Sequence, residues 1–201
     1  MPGEDPFVRE GWMELQEVLS SRRTIFRFKP EPVPNEVLEK LFSFGVWAPN
    51  HHTTEPWRFV VLGKETKETL GKRYGEIQMG KAPEHVDDDN RAILGEKGYS
   101  KFMSKPTIVA VSCLQEGDKQ AKREDFAATC CAMQNVQLAA WEAGVGMQWS
   151  TGPISLEPQT YSLLGIDPER AYIIGFFYMG FPEEIPKVTR KSIGEVMRWT
   201  A

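Results

Sequence analysis

The chain has 201 residues, 41% hydrophobic and 26% charged, and carries a formal net charge of −4. That length suits one compact domain with a sizeable core, and the acidic balance excludes the basic footprint of a nucleic-acid-binding surface. No apolar run approaches the roughly 18 residues of a membrane-spanning helix. The polar, acidic start Met1-Pro2-Gly3-Glu4-Asp5-Pro6 lacks a secretory-signal pattern, so a cytoplasmic protein with no membrane partner is expected.

Residues 12–20 place Trp12, Leu15, Gln16 and Leu19 at helical spacing, an amphipathic first helix that stops at Ser20-Ser21-Arg22-Arg23. Pro30, Pro32 and Pro34 then hold the chain extended. Asn35 is positioned to cap a helix over 36–46 with Leu38, Leu41, Phe42 and Gly45 on one face, ended by Ala48-Pro49. A short buried strand from Phe59 to Leu62 and a charged surface helix over 65–79 follow. From Gly80 to Lys105 the chain is polar and reads as a lid or binding loop. The Asp87-Asp88-Asp89 run inside it reads as a solvated face.

Thr107 to Cys113 is almost continuously apolar, which predicts a strand buried on both faces. A polar loop over 115–123 leads into a core helix over 124–143. Its inner face is predicted from Phe126, Ala127, Cys130, Met133, Val136, Gln137, Ala140 and Trp141, and Gly144 ends it. Met147 to Pro153 is turn-rich, and Ser155 is placed to cap a helix running to Leu164 and closed by Gly165. Residues 171–180 form a third buried strand, and Ser192-Ile193-Gly194-Glu195 is a capping-box pattern for a last short helix. No repeat or linker interrupts the chain. The pattern predicts an α+β class and a single domain over 1–201.

Gly144-Val145-Gly146 lacks a third glycine and opens no helix, so it is not a dinucleotide turn. The three cysteines, Cys113, Cys130 and Cys131, show no disulfide framework and read as small core residues. His51, His52 and His85 lack metal-ligand spacing, and no metal is expected.

Neither a nucleophile elbow nor a phosphate loop is present. What stands out is Ser21-Arg22-Arg23-Thr24-Ile25-Phe26-Arg27-Phe28. Adjacent guanidiniums and a hydroxyl after a helix suit a phosphate or a polar ring, because arginine offers a planar fork of donors and keeps its charge. Arg22-Arg23 can also be read as an exposed pair favourable to the helix dipole, His51 as a solvated turn residue, Trp149 as plain core and Arg190-Lys191 as a surface pair. A chain with concentrated arginines and no protein nucleophile is consistent with an enzyme whose cofactor does the chemistry.

Several segments, in order, resemble the FMN-dependent nitroreductase family in its compact bacterial NAD(P)H branch. They are Arg22-Arg23-Thr24, Ala48-Pro49-Asn50-His51, Pro56-Trp57-Arg58-Phe59-Val60-Val61, Ala143-Gly144-Val145-Gly146, Ile174-Gly175-Phe176-Phe177-Tyr178-Met179-Gly180 and Arg190-Lys191. The resemblance implies a nitroreductase-like fold, a central mixed sheet flanked by helices, in an intertwined homodimer with FMN between protomers. It implies that Arg22 and Thr24 meet the phosphate and ribityl end, and Arg23 the pyrimidine ring. Trp149, Ser150 and Thr151 would line the isoalloxazine, with backbone near Gly152 at its N5 edge. Trp47 and His51 would reach the partner's FMN, and Arg190 and Lys191 would add a second cationic contact to phosphate.

The implied activity is oxidation of NADH or NADPH with reduction of a nitroaromatic or quinone-like small molecule in ping-pong order. Hydride transfer needs positioning more than proton chemistry, so no catalytic side chain is expected. A flavin-binding carrier or sensor with little turnover is the alternative. The physiological acceptor and the preference between nicotinamides stay open. Glu55 stands where the family usually has Gln, and is expected to pair with Arg58 away from the flavin. Phe26 takes a place often held by a second Arg, with Arg27 displaced by one, and Thr53 one often held by Asn.

Overall fold

A computed structural model describes residues 13–200. The acidic start, Trp12 of the first predicted helix and Ala201 lie outside those residues. Four strands, β1 (Trp57–Val61), β2 (Thr107–Leu114), β3 (Gly146–Ser150) and β4 (Ala171–Gly180), form one sheet in the order β1-β2-β4-β3. Every ladder in it is antiparallel. The parallel element of the expected mixed sheet is one isolated bridge, Thr24 to Met147. The described residues form six α-helices, α1 (Leu15–Ser21), α2 (Asn35–Gly45), α3 (Lys64–Gly80), α4 (Asp88–Met103), α5 (Lys119–Glu142) and α6 (Pro158–Leu164). The α+β class is therefore as expected, and no helix among the described residues is long and apolar enough to cross a membrane.

The two central strands explain the layering. Successive side chains on a strand point to opposite faces, and β2 and β4 are apolar at both parities. Val109, Val111, Cys113, Phe177 and Met179 pack with Leu38 and Leu41 of α2 and Met133, Val136 and Ala140 of α5. Ile108, Ala110, Phe176 and Tyr178 pack on the other side with Leu70 of α3, Phe102 of α4 and Ile154. Phe176 and Phe177 are fully buried on opposite faces, and each contributes about 1.5–3 kcal/mol of transfer free energy. An antiparallel sheet with both faces covered has no solvated face, which is why these strands read as unbroken apolar runs.

Several boundaries differ from expectation for identifiable reasons. The polar stretch 80–105 is no open loop, because Asp87 caps α4 by accepting the Asn90 N–H at 2.8 Å. The bonds from Asn90 hold the Asp87 carboxyl below its ordinary range. The buried face of α4 is Gly95, Gly98 and Phe102, and glycines carry no hydrophobic periodicity. They are needed there: a Cβ on Gly75 of α3 would lie 2.8 Å from the Gly95 carbonyl oxygen.

Asp118 starts α5 at Lys119, inside the expected loop, by accepting the Gln120 and Ala121 N–H groups. The inner face of α5 is Asp125, Ala128, Thr129, Ala132, Met133, Val136, Gln137 and Ala140. Phe126 and Cys131 are exposed and Cys130 half-buried, so the cysteines are not uniformly core. Pro34, not Asn35, occupies the cap of α2 and supplies no side-chain bond. Ser155 caps nothing: it sits inside a 3-10 turn, Pro153–Leu156, and α6 starts after it. The capping box at Ser192 forms as expected, over a 3-10 turn at Ile193–Glu195.

Met147 to Pro153, expected as a turn, opens with the edge strand β3. Its seat is a bulge in β4, where the register with β2 shifts between Val111 and Ser112, opposite Gly175. Gly175 has φ +155°, and a Cβ there would lie 2.5 Å from the Ser150 carbonyl oxygen and 2.8 Å from Trp149 Nε1. Gly175→Ala is expected to destabilise by about 1–3 kcal/mol, the usual cost of overpacking, and to change the fluorescence of Trp149. Denaturant unfolding and an emission spectrum measure both.

Candidate functional site

The segment after α1 is fixed to the edge of the sheet by one apolar wedge. Ile25 is fully buried, its N–H donates to the Met147 carbonyl at 3.0 Å, and Thr24 forms the parallel bridge to Met147. The close approach needs a glycine, because a Cβ on Gly146 would come within 2.6 Å of Ile25 Cγ1. Arg22 and Thr24 are thereby laid alongside Trp149 of β3 and Thr151, which follows it.

These four residues and Cys130, Gln134 and Gln137 of α5 line an open cleft of about 400 Å³. The α5 members recur at i, i+4 and i+7, one helix face. Gln134 beside Gln137 is the signal for this face in the sequence, where Cys130 and Gln137 read as part of the inner face of a core helix. Burial holds the Cys130 thiol above its ordinary pKa, with Cys131 and Cys113 adding to the effect, so it stays protonated and is a poor nucleophile.

The cleft is cationic in an acidic protein. Burial first, then the charges of Arg190 and Arg23, hold the Arg22 guanidinium below its ordinary pKa. A partly desolvated cation crowded by like charges is the arrangement an anion relieves. Arg23 itself curls back, donating from Nη1 to the Ser20 carbonyl at 2.7 Å and the Arg22 carbonyl at 2.8 Å. It caps the end of α1, as the helix-terminus reading of that pair expects. Arg190 and Lys191 are exposed in the C-terminal segment. Ser150 faces away from the cleft lining, next to the Tyr178 hydroxyl, whose pKa burial pushes up to about 12 against the opposing effect of Ser150.

Trp47 and His51 lie outside this cleft. Trp47 is 83% exposed and borders a separate apolar groove with Leu15, Val18, Phe44 and Leu138. His51 begins a strained turn in which His52 (φ 54°), Thr53 (φ 51°) and Glu55 (φ 43°) are all left-handed. Each such non-glycine residue costs on the order of 1–3 kcal/mol and persists only where its surroundings hold it. Here α5 holds it. Thr54 Oγ1 donates to the buried Asp125 carboxylate at 2.6 Å, and His51 Nδ1 lies 2.8 Å from Glu124 Oε2. A carboxylate can only accept, so Nδ1 carries the proton.

The expected Glu55–Arg58 ion pair does not form among the described residues. Arg58 Nη1 donates instead to the main-chain carbonyls of Glu55 at 2.8 Å and Trp57 at 2.7 Å. The left-handed backbone at Glu55 turns its carbonyl, and not its carboxylate, toward the guanidinium.

Hydrogen bonds from Gln120 and then His51 hold the Glu124 carboxyl below its ordinary pKa. A depressed carboxylate contributes stability above the unfolded-state value and loses it as pH falls through the folded-state value. Wild type is therefore expected to melt above Glu124→Gln at neutral pH, with the gap closing below the ordinary glutamate range. Thermal midpoints of the two proteins across pH 3 to 7, roughly the span of carboxylate titration, measure the gap.

Comparison with known proteins shows the family. The nitroreductase family model matches residues 19–181, a span that contains the arginine segment, the strained turn and all four strands. YfhC of Bacillus subtilis (strain 168), provisionally named an NAD(P)H nitroreductase, is 33% identical over 180 residues, 89% of each chain. A nitroreductase-like family protein from Bacillus cereus superposes with TM-score 0.78 at 27% identity, covering 96% of this chain and 99% of its own. A nitroreductase with bound FMN from Bacteroides fragilis NCTC 9343 shares the fold, with TM-score 0.71 at 21% identity over 94% of this chain and 100% of its own. The chain belongs to the nitroreductase family and is an oxidoreductase.

Proposed function

We propose that this chain is a cytoplasmic, homodimeric FMN enzyme, a single domain over 1–201, that uses NAD(P)H to reduce nitroaromatic or quinone-like small molecules in ping-pong order. The observation that carries the reading is the crowded, half-buried Arg22 beside Arg190, in a cleft walled by Trp149 and Thr151. A similar protein holds FMN, and a relative carries an NAD(P)H nitroreductase name.

The donor set suits FMN. Arg22 and Arg190, with Lys191 beside the latter, would take the phosphate as charge-assisted donors. Thr24 offers a hydroxyl to the ribityl chain, and Arg23 would uncurl toward the pyrimidine ring. Trp149 and Thr151 would lie along the ring system, and Ser150, whose side chain turns to Tyr178, would offer only its main chain there. Bound there, FMN supplies the hydride relay between nicotinamide and acceptor. The chain's part would be to hold and orient that ring between Trp149 and Thr151 and the α5 residues Cys130, Gln134 and Gln137.

A second copy accounts for what one chain leaves uncovered. Leu15, Phe44 and Trp47 are 66%, 41% and 83% exposed along the apolar groove, a patch suited to an interface. Trp47 and His51 would there approach the partner's cofactor. Sedimentation at micromolar concentration is expected to find dimer; a well-folded monomer that retains FMN would contradict the shared site.

Arg22→Ala is expected to weaken FMN binding by ten- to more than a hundredfold, the equivalent of about 1.5–3 kcal/mol for one charge-assisted contact. Arg27, whose side chain is 74% exposed and 3.8 Å from Glu184, should give a nearly silent alanine variant. Fluorescence titration of both variants decides between a ligand site and a mere helix terminus. Steady-state NADPH oxidation with and without a quinone separates the enzyme from a flavin carrier with little turnover.

A further inference from the structure

Lys105 joins α4 to β2 and is only 6% exposed. No carboxylate pairs with it among the described residues. Its ammonium donates to the Phe26 carbonyl at 2.8 Å and lies 5.2 Å from the centre of the Phe28 ring and 5.7 Å from that of Tyr178. The Lys67 amine donates in turn to the Lys105 carbonyl, which holds the start of the linker in place.

A buried charge without an anion is costly, and in a packed apolar site a methionine of similar volume is usually no worse for stability. The two aromatic faces and the carbonyl recover part of that cost. What distinguishes lysine here is its reach to two particular partners. Phe26 lies two residues beyond Thr24, on the segment that carries Arg22 along the cleft. Tyr178 pairs with Gln148 of β3 and its hydroxyl neighbours Ser150, next to Trp149 and Thr151 on the opposite wall.

We propose that Lys105 is a positioning residue that fixes both walls of the cleft, one through the Phe26 carbonyl and the other through the Tyr178 ring. The flavin reading enters only as the identity of the ligand whose binding reports the effect. Lys105 touches no part of the cleft lining itself. Its action is mechanical: it holds Arg22 and Thr24 at a set distance from Trp149 and Thr151.

The test compares wild type, Lys105→Met, Lys105→Gln and Lys105→Arg by amide hydrogen exchange in FMN-free protein and by FMN titration. Lys105→Met is expected to speed exchange at residues 22–28 and 148–151, while exchange in β2 and α5 and the denaturant midpoint stay near wild type. FMN affinity should fall by about tenfold or more, the scale of one lost charge-assisted contact, and Lys105→Arg should recover part of it. Unchanged exchange at 22–28 in a folded Lys105→Met protein would overturn the proposal, and so would faster exchange spread evenly over the chain. Should the methionine variant not fold, Lys105→Gln is read the same way; failure of both to fold would assign Lys105 to the fold as a whole and overturn the positioning role. If wild type itself takes up no FMN, the flavin reading fails, and the ligand-free exchange arm still decides the role of Lys105.

Discussion

Everything at the cleft depends on Ile25 being driven into the core against Gly146. One fully buried side chain and one main-chain hydrogen bond to Met147 convert a helix end and an extended arm into one wall of a binding site. Without that wedge the arginines after α1 would be an ordinary solvated helix terminus. With it, Arg22 loses enough water, and gains enough like-charged company, to be suited to an anion. The site is thus built by apolar packing first, and its electrostatics follow from where the packing leaves the guanidiniums.

The same order of causes explains how much could be read from the chain. β2 and β4 were legible because an apolar run buried on both faces leaves an unmistakable pattern, and α2 and α5 because their leucines, alanines and valines recur at helical spacing. α4 was not legible because its contact with α3 is made by glycines, which close the helices together while contributing nothing to hydrophobic periodicity. β3 was hidden for a related reason. Gln148, Trp149, Ser150 and Thr151 are partly exposed residues at a sheet edge, and they look like a turn until the bulge at Gly175 seats them.

Sequence order singled out Arg22, Thr24, Trp149 and Thr151, which the fold brings together along one cleft. It missed Cys130, Gln134 and Gln137 because a helix that is mostly core disguises the one face that is not. Arg23 shows one limit: the resemblance gives it the pyrimidine ring, while its guanidinium here donates to the carbonyls of Ser20 and Arg22. Glu55 shows a second limit. Pairing it with Arg58 was sound chemistry for side chains, but three left-handed residues in the turn rotate the backbone so that a carbonyl meets the arginine first.

α5 gives the arrangement a thermodynamic consequence. Its 24 residues make a rod roughly 36 Å long at 1.5 Å per residue. Along that rod it anchors the strained turn through Glu124 and Asp125, floors the cleft with Cys130, Gln134 and Gln137, and edges the apolar groove with Asn135 and Leu138. A rigid element shared by three surfaces cannot shift at one without shifting at the others. Should a second chain settling on the groove move α5 at all, cleft and groove become coupled sites. Linkage is then reciprocal: whatever factor association adds to cofactor affinity, the cofactor must add to association.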